Sequence, residues 1–309
     1  MKIAFVFPGQ GSQSAGMLDA FAGNPAVADV LTRAGGALGQ ALAQLIAQGP
    51  ADALNLTTNT QPVMLTAGAA VYAAWQAAGG RTPDVVAGHS LGEYTALVAA
   101  GALSLEDGVR LVRIRADAMQ SAVPVGEGGM AAILGLDDDA VRRACAEGAQ
   151  GEVVEAVNFN APAQVVIAGH KGAVERACAA AKAAGAKRAL PLPVSAPFHS
   201  SLLRPAADVL ARALAEVTVN APVIPVLNNV DVASPADPAA IRDALVRQAW
   251  HPVRWVETIQ AMKAQGVTHI VECGPGKVLA GLVKRIDGDL TALAITDPAS
   301  LEAALAATA

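Results

Sequence analysis

The chain has 309 residues, 53% hydrophobic and 16% charged, which is enough apolar material for one large domain with an insert or for two modest domains. A net charge of −5 argues against a general nucleic-acid binder, whose footprint is basic. Three cysteines, Cys145, Cys178 and Cys273, are odd in number and far apart, so they suggest neither a disulfide framework nor a metal site.

Residues 2–7 are almost wholly apolar, as expected of a parallel strand buried on both faces. The run is too short, and too soon broken by Pro8-Gly9, for a signal peptide. No apolar stretch of membrane-spanning length follows, so we expect a soluble, cytoplasmic protein that binds neither membrane nor nucleic acid. The polar loop Pro8-Gly9-Gln10-Gly11-Ser12-Gln13 ends the strand, where open α/β sheets place ligands. Residues 18–49 read as helical, broken at Asn24-Pro25 and Gly35-Gly36, and 59–78 as one long helix with Pro62 near its first turn.

Val85-Val86-Ala87-Gly88-His89-Ser90-Leu91-Gly92-Glu93-Tyr94 combines an apolar run, Gly-X-Ser-X-Gly and a helical pattern. This is the pattern of a nucleophile elbow, in which glycines permit a tight strand-to-helix turn and leave the Ser90 hydroxyl exposed. An oxyanion formed there would face the N–H of Leu91 at a helix N-terminus. The alternative is a glycine-rich turn whose serine only caps the helix. A helix carrying Val109 through Gln120 then contains Arg110, Arg113 and Arg115.

Val123 to Gly129 marks a boundary. Strand-like 130–134, helical 137–147, strand-like 153–158 and 164–168, helical 171–184 and strand-like 187–192 follow. The order β-α-β-β-α-β is that of a ferredoxin-like unit, so we expect an inserted small domain at 126–193. The remainder, 1–125 and 194–309, alternates strand and helix. Helices are expected at 205–217, 238–250, 256–265 and 277–285, and strands at 222–228 and 267–273. The fold class is therefore α/β: a large α/β-hydrolase-like domain with a mainly parallel sheet, plus the ferredoxin-like insert.

A serine hydroxyl needs a base. Of five histidines, His89 neighbours Ser90 on the elbow, where adjacent side chains point apart, and is expected to be structural. His170 begins a helix, His251 precedes a proline, and His269 lies in a strand and is expected to face the core. His199, in the proline-constrained loop 193–200, is the candidate base on position, with geometry left to decide.

Six motifs occur in order: Phe-Pro-Gly-Gln-Gly-Ser-Gln at 7–13, Gly-His-Ser-Leu-Gly-Glu-Tyr at 88–94, Val112-Arg113-Ile114-Arg115, Asn158 to Val166, Pro197-Phe198-His199-Ser200, and Glu272-Cys273-Gly274-Pro275-Gly276. Over residues 3 to about 287 the chain resembles the malonyl-CoA:acyl carrier protein transacylases of fatty acid synthesis. The resemblance implies Ser90 as nucleophile and His199 as base, oriented by the backbone carbonyl of Gln248. It implies N–H groups of Gln10 and Leu91 as the oxyanion hole, and Arg115 pairing with the malonyl carboxylate. Met119 and Phe198 are expected to narrow the pocket, and Phe198 to disfavour an α-methyl group.

A buried carboxylate needs a charged partner, and a guanidinium can bind it through two parallel hydrogen bonds. The implied partners are malonyl-CoA and acyl carrier protein, with no metal and no cofactor beyond the CoA thioester substrate. Lys277, Lys284 and Arg285, or Lys187 and Arg188, are candidate docking cations for an acidic carrier protein. A stand-alone acyltransferase serving polyketide synthesis shares this chemistry, and a serine thioesterase would differ only in preferring water as acceptor.

Overall fold

The computed structural model describes residues 1–194 and 196–309, so Ser195 of the expected 193–200 loop lies outside the described residues. From the N-terminus, β1 (Lys2–Phe7) is followed by α1 (Pro25–Leu38), α2 (Leu42–Gln48), α3 (Ala51–Asn55) and α4 (Thr57–Ala77). Next come β2 (Val85–Gly88), α5 (Gly92–Ala99) and α6 (Leu105–Ser121). The middle of the chain holds β3 (Gly128–Leu134), α7 (Asp138–Ala149), β4 (Val154–Ala161), β5 (Gln164–His170), α8 (Lys171–Ala183) and β6 (Arg188–Pro191). The last third holds α9 (Arg204–Ala215), β7 (Val226–Leu227), α10 (Pro238–Gln248), α11 (Trp255–Ala264), β8 (Val267–Cys273), α12 (Val278–Ile286), β9 (Thr291–Ile295) and α13 (Pro298–Thr308).

The fold is mixed α/β around a five-stranded sheet of order β7-β2-β1-β8-β9, paired in parallel throughout. Successive strand side chains point to opposite faces, and β1 shows the consequence. Ile3, Phe5 and Phe7 join the core shared with α1, α4, α5, α6 and α9, while Ala4 and Val6 join that beneath α11 and α12. Both faces being covered, β1 after Lys2, β2 and β7 carry no polar side chain, as buried parallel strands tend to, whereas β8 carries Thr268, His269 and Glu272. The carboxyl ends of β1 and β2 lie side by side, with Phe7 opposite Gly88, and that brings the 8–13 loop beside the Ser90 turn.

A second, antiparallel sheet has the order β4-β5-β3-β6. One face, with Ala131, Ile133, Val165 and Ile167, packs on α7 and α8. Met130, Val157, Val166 and Ala168 on the other face meet Leu192, Val194 and Phe198. Two backbone bonds tie this sheet to the main body, Phe159 N–H to Val253 O (3.0 Å) and Val253 N–H to Val157 O (2.8 Å).

Several expectations change. α1 runs through Gly35-Gly36 and stops at Gly39, whose left-handed conformation (φ 60°) provides the terminus. α4 begins at Thr57, so Pro62 sits inside the helix instead of in its first turn. The strand expected at 222–228 contracts to two residues, and Pro225 contributes only its carbonyl, to Val86 N–H. His269 is half-buried and hydrogen-bonded to Thr268 instead of facing the core. β9 and α13, beyond the last expected helix, complete the sheet edge. Among the described residues no helix is long and apolar enough to cross a membrane.

Candidate active site

Ser90 occupies the turn between β2 and α5 with φ 53°, a left-handed conformation that costs a non-glycine residue energy. The flanking glycines make the turn possible by their lack of a side chain. A Cβ on Gly88 would stand 1.8 Å from the Gly92 backbone, and one on Gly92 would stand 2.1 Å from Phe7 O. Asn229, just after β7, braces the turn: its Oδ1 accepts the Ser90 N–H (2.8 Å) and its Nδ2 donates to Gly88 O (2.7 Å).

His199 arrives from 109 residues away, also with positive φ (65°), and its Nε2 lies 2.6 Å from Ser90 Oγ. Its Nδ1 lies 2.8 Å from Gln248 O. A carbonyl only accepts, so Nδ1 carries the proton and Nε2 presents a lone pair to the serine hydroxyl. Burial, reinforced by the Arg115 cation, pushes the imidazole down to about 3. The ring is therefore neutral and able to accept a proton at physiological pH. No Asp or Glu is hydrogen-bonded to it among the described residues, so a neutral carbonyl stands where many serine enzymes place a carboxylate. Beyond His199, Glu155 of β4 anchors the loop by accepting from Ser201 N–H (2.8 Å) and Oγ–H (2.7 Å).

Arg115 of α6 is 2% exposed. Its guanidinium donates to Gln61 Oε1 (2.8 Å), Gln248 Oε1 (3.0 Å) and Ser90 Oγ (3.2 Å), and lies 5.5 Å from the Tyr94 ring centre. Burial lowers the cation's affinity for its proton, while neighbouring Tyr94 and Glu93 oppose that. The side-chain amide of Gln248 is a hub: its Nε2 donates to Ser90 O (2.8 Å) and Glu93 Oε2 (3.0 Å). Glu93 Oε2 also accepts the Asn229 N–H (2.9 Å), and burial raises this carboxyl to about 7.

Ser90, His199 and Arg115 line a cavity of about 220 Å³ together with Gln10, Leu91 and Phe198, so seven of the eight expected site residues converge once Gln248 is counted behind Arg115 and His199. Met119 does not line it. One turn beyond Arg115 on α6, it is fully buried and its Sδ lies 3.9 Å from Gln61 Nε2, which places it behind the wall as a support for Gln61. His89 is also corrected. Its ring does enter the cavity wall, with Nε2 2.7 Å from Asn160 Oδ1 and its centre 5.4 Å from that of the Trp255 ring in an edge-to-face arrangement. His89 and Ser90 therefore line the same cavity although they are neighbours in the chain.

Sequence reasoning missed Gln61, Glu93, Asn160 and Asn229 as site residues; a signal was present in Gln61, a large polar group directly before the mainly apolar run 62–75 of its helix. A larger cavity, about 470 Å³, adjoins along Met130, Leu192 and Val194 and is bordered by Lys171 and Lys182. It holds none of the hydroxyl–imidazole–guanidinium set, so the smaller cavity is the chemical one. Among the described residues no group of three or more His, Cys, Asp or Glu is placed to hold a metal ion.

The arrangement equips one hydroxyl with a base and a fixed cation, as acyl transfer of a carboxylate-bearing group requires. Residues 4–287 match the family model described as acyl transferase domain. The malonyl CoA-acyl carrier protein transacylase of Salmonella typhimurium is 59% identical over 305 residues, covering 98% of this chain and 99% of that protein. The crystal structure of the acyl-carrier-protein S-malonyltransferase from Burkholderia pseudomallei is 69% identical with a TM-score of 0.98, covering 99% of this chain and 100% of that one. A malonyl-transacylase in complex with its type II PKS acyl-carrier protein is 52% identical, also with a TM-score of 0.98, over 99% and 100% of the two chains. With the match spanning nearly its whole length, the chain belongs to the malonyl CoA-acyl carrier protein transacylase family of acyl transferases.

Proposed function

We propose that this protein transfers malonyl from malonyl-CoA to the phosphopantetheine thiol of acyl carrier protein through a malonyl-serine. The observation that carries the reading is the convergence of Ser90 Oγ, His199 Nε2 and the Arg115 guanidinium at one point. Ser90 Oγ attacks the thioester carbonyl as His199 Nε2 takes its proton. The oxyanion is held by the N–H groups of Leu91 and Gln10. Collapse breaks the C–S bond, and the imidazolium returns the proton to the departing CoA thiolate. The carrier thiol then reverses the steps: His199 takes its proton, sulfur attacks the acyl-serine, and Ser90 leaves with the proton restored. This is ping-pong chemistry needing no cofactor beyond the thioester, in keeping with a cytoplasmic fatty acid pathway.

Arg115 holds the malonyl carboxylate in a fork while Gln61 and Gln248, each accepting from one of its terminal nitrogens, hold the guanidinium in place. Phe198, beside the base, leaves little room for an α-methyl branch. The strand order and antiparallel pairing of the second sheet support a ferredoxin-like small domain at 126–193, inserted into an α/β-hydrolase-like domain formed by 1–125 and 194–309. Exposed Lys187, Arg188, Lys277, Lys284 and Arg285 are the cations that we assign to carrier-protein docking. The similarity to a malonyl-transacylase in complex with its type II PKS acyl-carrier protein supports polyketide synthesis as a second setting for the same chemistry. A malonyl adduct on Ser90 that disappears on adding carrier protein tests the reading, and an adduct lost equally fast to water would point instead to a thioesterase.

A further inference from the structure

Glu93 has no part in the steps above, yet it is a carboxyl buried to 2% exposure, three residues after Ser90. Its Oε2 accepts two hydrogen bonds, from Asn229 N–H and from Gln248 Nε2. The Gln248 amide has two chemically opposite ends of nearly equal size, so only its partners decide which way it faces. Nε2 faces Glu93 and Ser90 O, and Oε1 therefore faces Arg115, which can only donate. Turned the other way, the amide would set N–H groups against the guanidinium and remove one of its three acceptors, leaving Gln61 Oε1 and Ser90 Oγ, at a cost in a buried site.

We propose that Glu93 is a positioning residue: its buried oxygen fixes the orientation of the Gln248 side-chain amide and so aims Arg115 at the acyl carboxylate. This rests on the malonyl-transfer reading. Oε2 can accept both N–H donors whether the acid is ionised or carries its proton on Oε1, so a glutamine at this position supplies the same acceptor. Asn229 shares that acceptor through its backbone N–H, while its side chain braces the Ser90 turn through bonds of its own.

Single-turnover acylation of the full-length protein by malonyl-CoA and by acetyl-CoA tests this, with folding checked by circular dichroism. Glu93→Ala is expected to lower kcat/KM for malonyl-CoA by about 10- to 100-fold, chiefly through KM, and that for acetyl-CoA by less than about 3-fold. Glu93→Gln should stay within about 3-fold of wild type on both substrates, as an acceptor role requires. Added to Gln248→Ala, Glu93→Ala should cost malonyl transfer little more, because the amide it orients is gone. Equal losses on the two substrates, a Glu93→Gln as impaired as Glu93→Ala, or additive losses in the double variant would each overturn the proposal while leaving malonyl transfer intact. A wild-type protein that forms no malonyl adduct would overturn both. Should Glu93→Ala fail to fold, Glu93→Met, of similar volume but without the acceptor, carries the same comparison.

Discussion

Replacing Arg115 by alanine removes the cation that we assign to the malonyl carboxylate, along with its bonds to Gln61, Gln248 and Ser90 Oγ. Breaking a buried, hydrogen-bonded charge pair by deleting one partner costs about 3–5 kcal/mol. At about 1.4 kcal/mol per tenfold, that is a loss of roughly 100- to 4,000-fold in kcat/KM for malonyl-CoA. An acetyl group brings no charge to the site and loses only the influence of one N–H on Ser90 Oγ. Removing the cation also lets the His199 imidazole bind its proton more readily, since Arg115 is one of the causes of its depression. Acetyl transfer should therefore fall by less than about tenfold or rise. Rapid-quench acylation with both thioesters, at fixed pH and salt, measures the ratio. A loss of equal size on malonyl-CoA and acetyl-CoA would show that Arg115 serves the scaffold and not the substrate's charge.

Burial of neutral His199 has a pH consequence. Its imidazole, pushed down to about 3 in the fold against an ordinary 6.5, keeps its proton off while the unfolded chain takes one up, so wild-type stability falls as pH drops below 6.5 toward 3. The stability of wild type relative to His199→Ala should decline by about 2 kcal/mol from pH 7 to pH 5 in urea melts, and a difference constant with pH would refute neutral burial. Phe198→Ala should raise acylation by methylmalonyl-CoA relative to malonyl-CoA, the thioester that wild type is expected to prefer; an unchanged ratio of single-turnover rates removes Phe198 as the source of selectivity. Reversing Lys284 and Arg285 to glutamate should raise KM for carrier protein without altering slow hydrolysis of the acyl-serine, and an unchanged KM would clear that patch of a docking role.

The elbow was legible because its chemistry is local: only glycine fits at 88 and 92, and apolar residues before and a helix pattern after fix the turn. His199 was legible as a histidine in a constrained loop and Arg115 only through the family resemblance, and neither as a 2.6 Å or a 3.2 Å contact to one oxygen. Met119 was misplaced because its spacing on α6 puts it on Arg115's face, whereas α4 inserts Gln61 between it and the cavity. Glu93 and Asn229 were invisible because their meaning lies in pairings more than 130 residues apart. At the C-terminal edge, β9 is half-buried along most of its length and lacks the sharp apolar signature of β1, which is why the sheet was read one strand short.

The most direct measurement is peptide mapping by mass spectrometry after brief mixing with malonyl-CoA and acid quench. The malonyl mass should sit on the peptide carrying Ser90, be absent from Ser90→Ala, and leave within one turnover when holo acyl carrier protein is added. A label on another residue, or a Ser90 adduct that the carrier thiol does not remove, would contradict transfer through this hydroxyl.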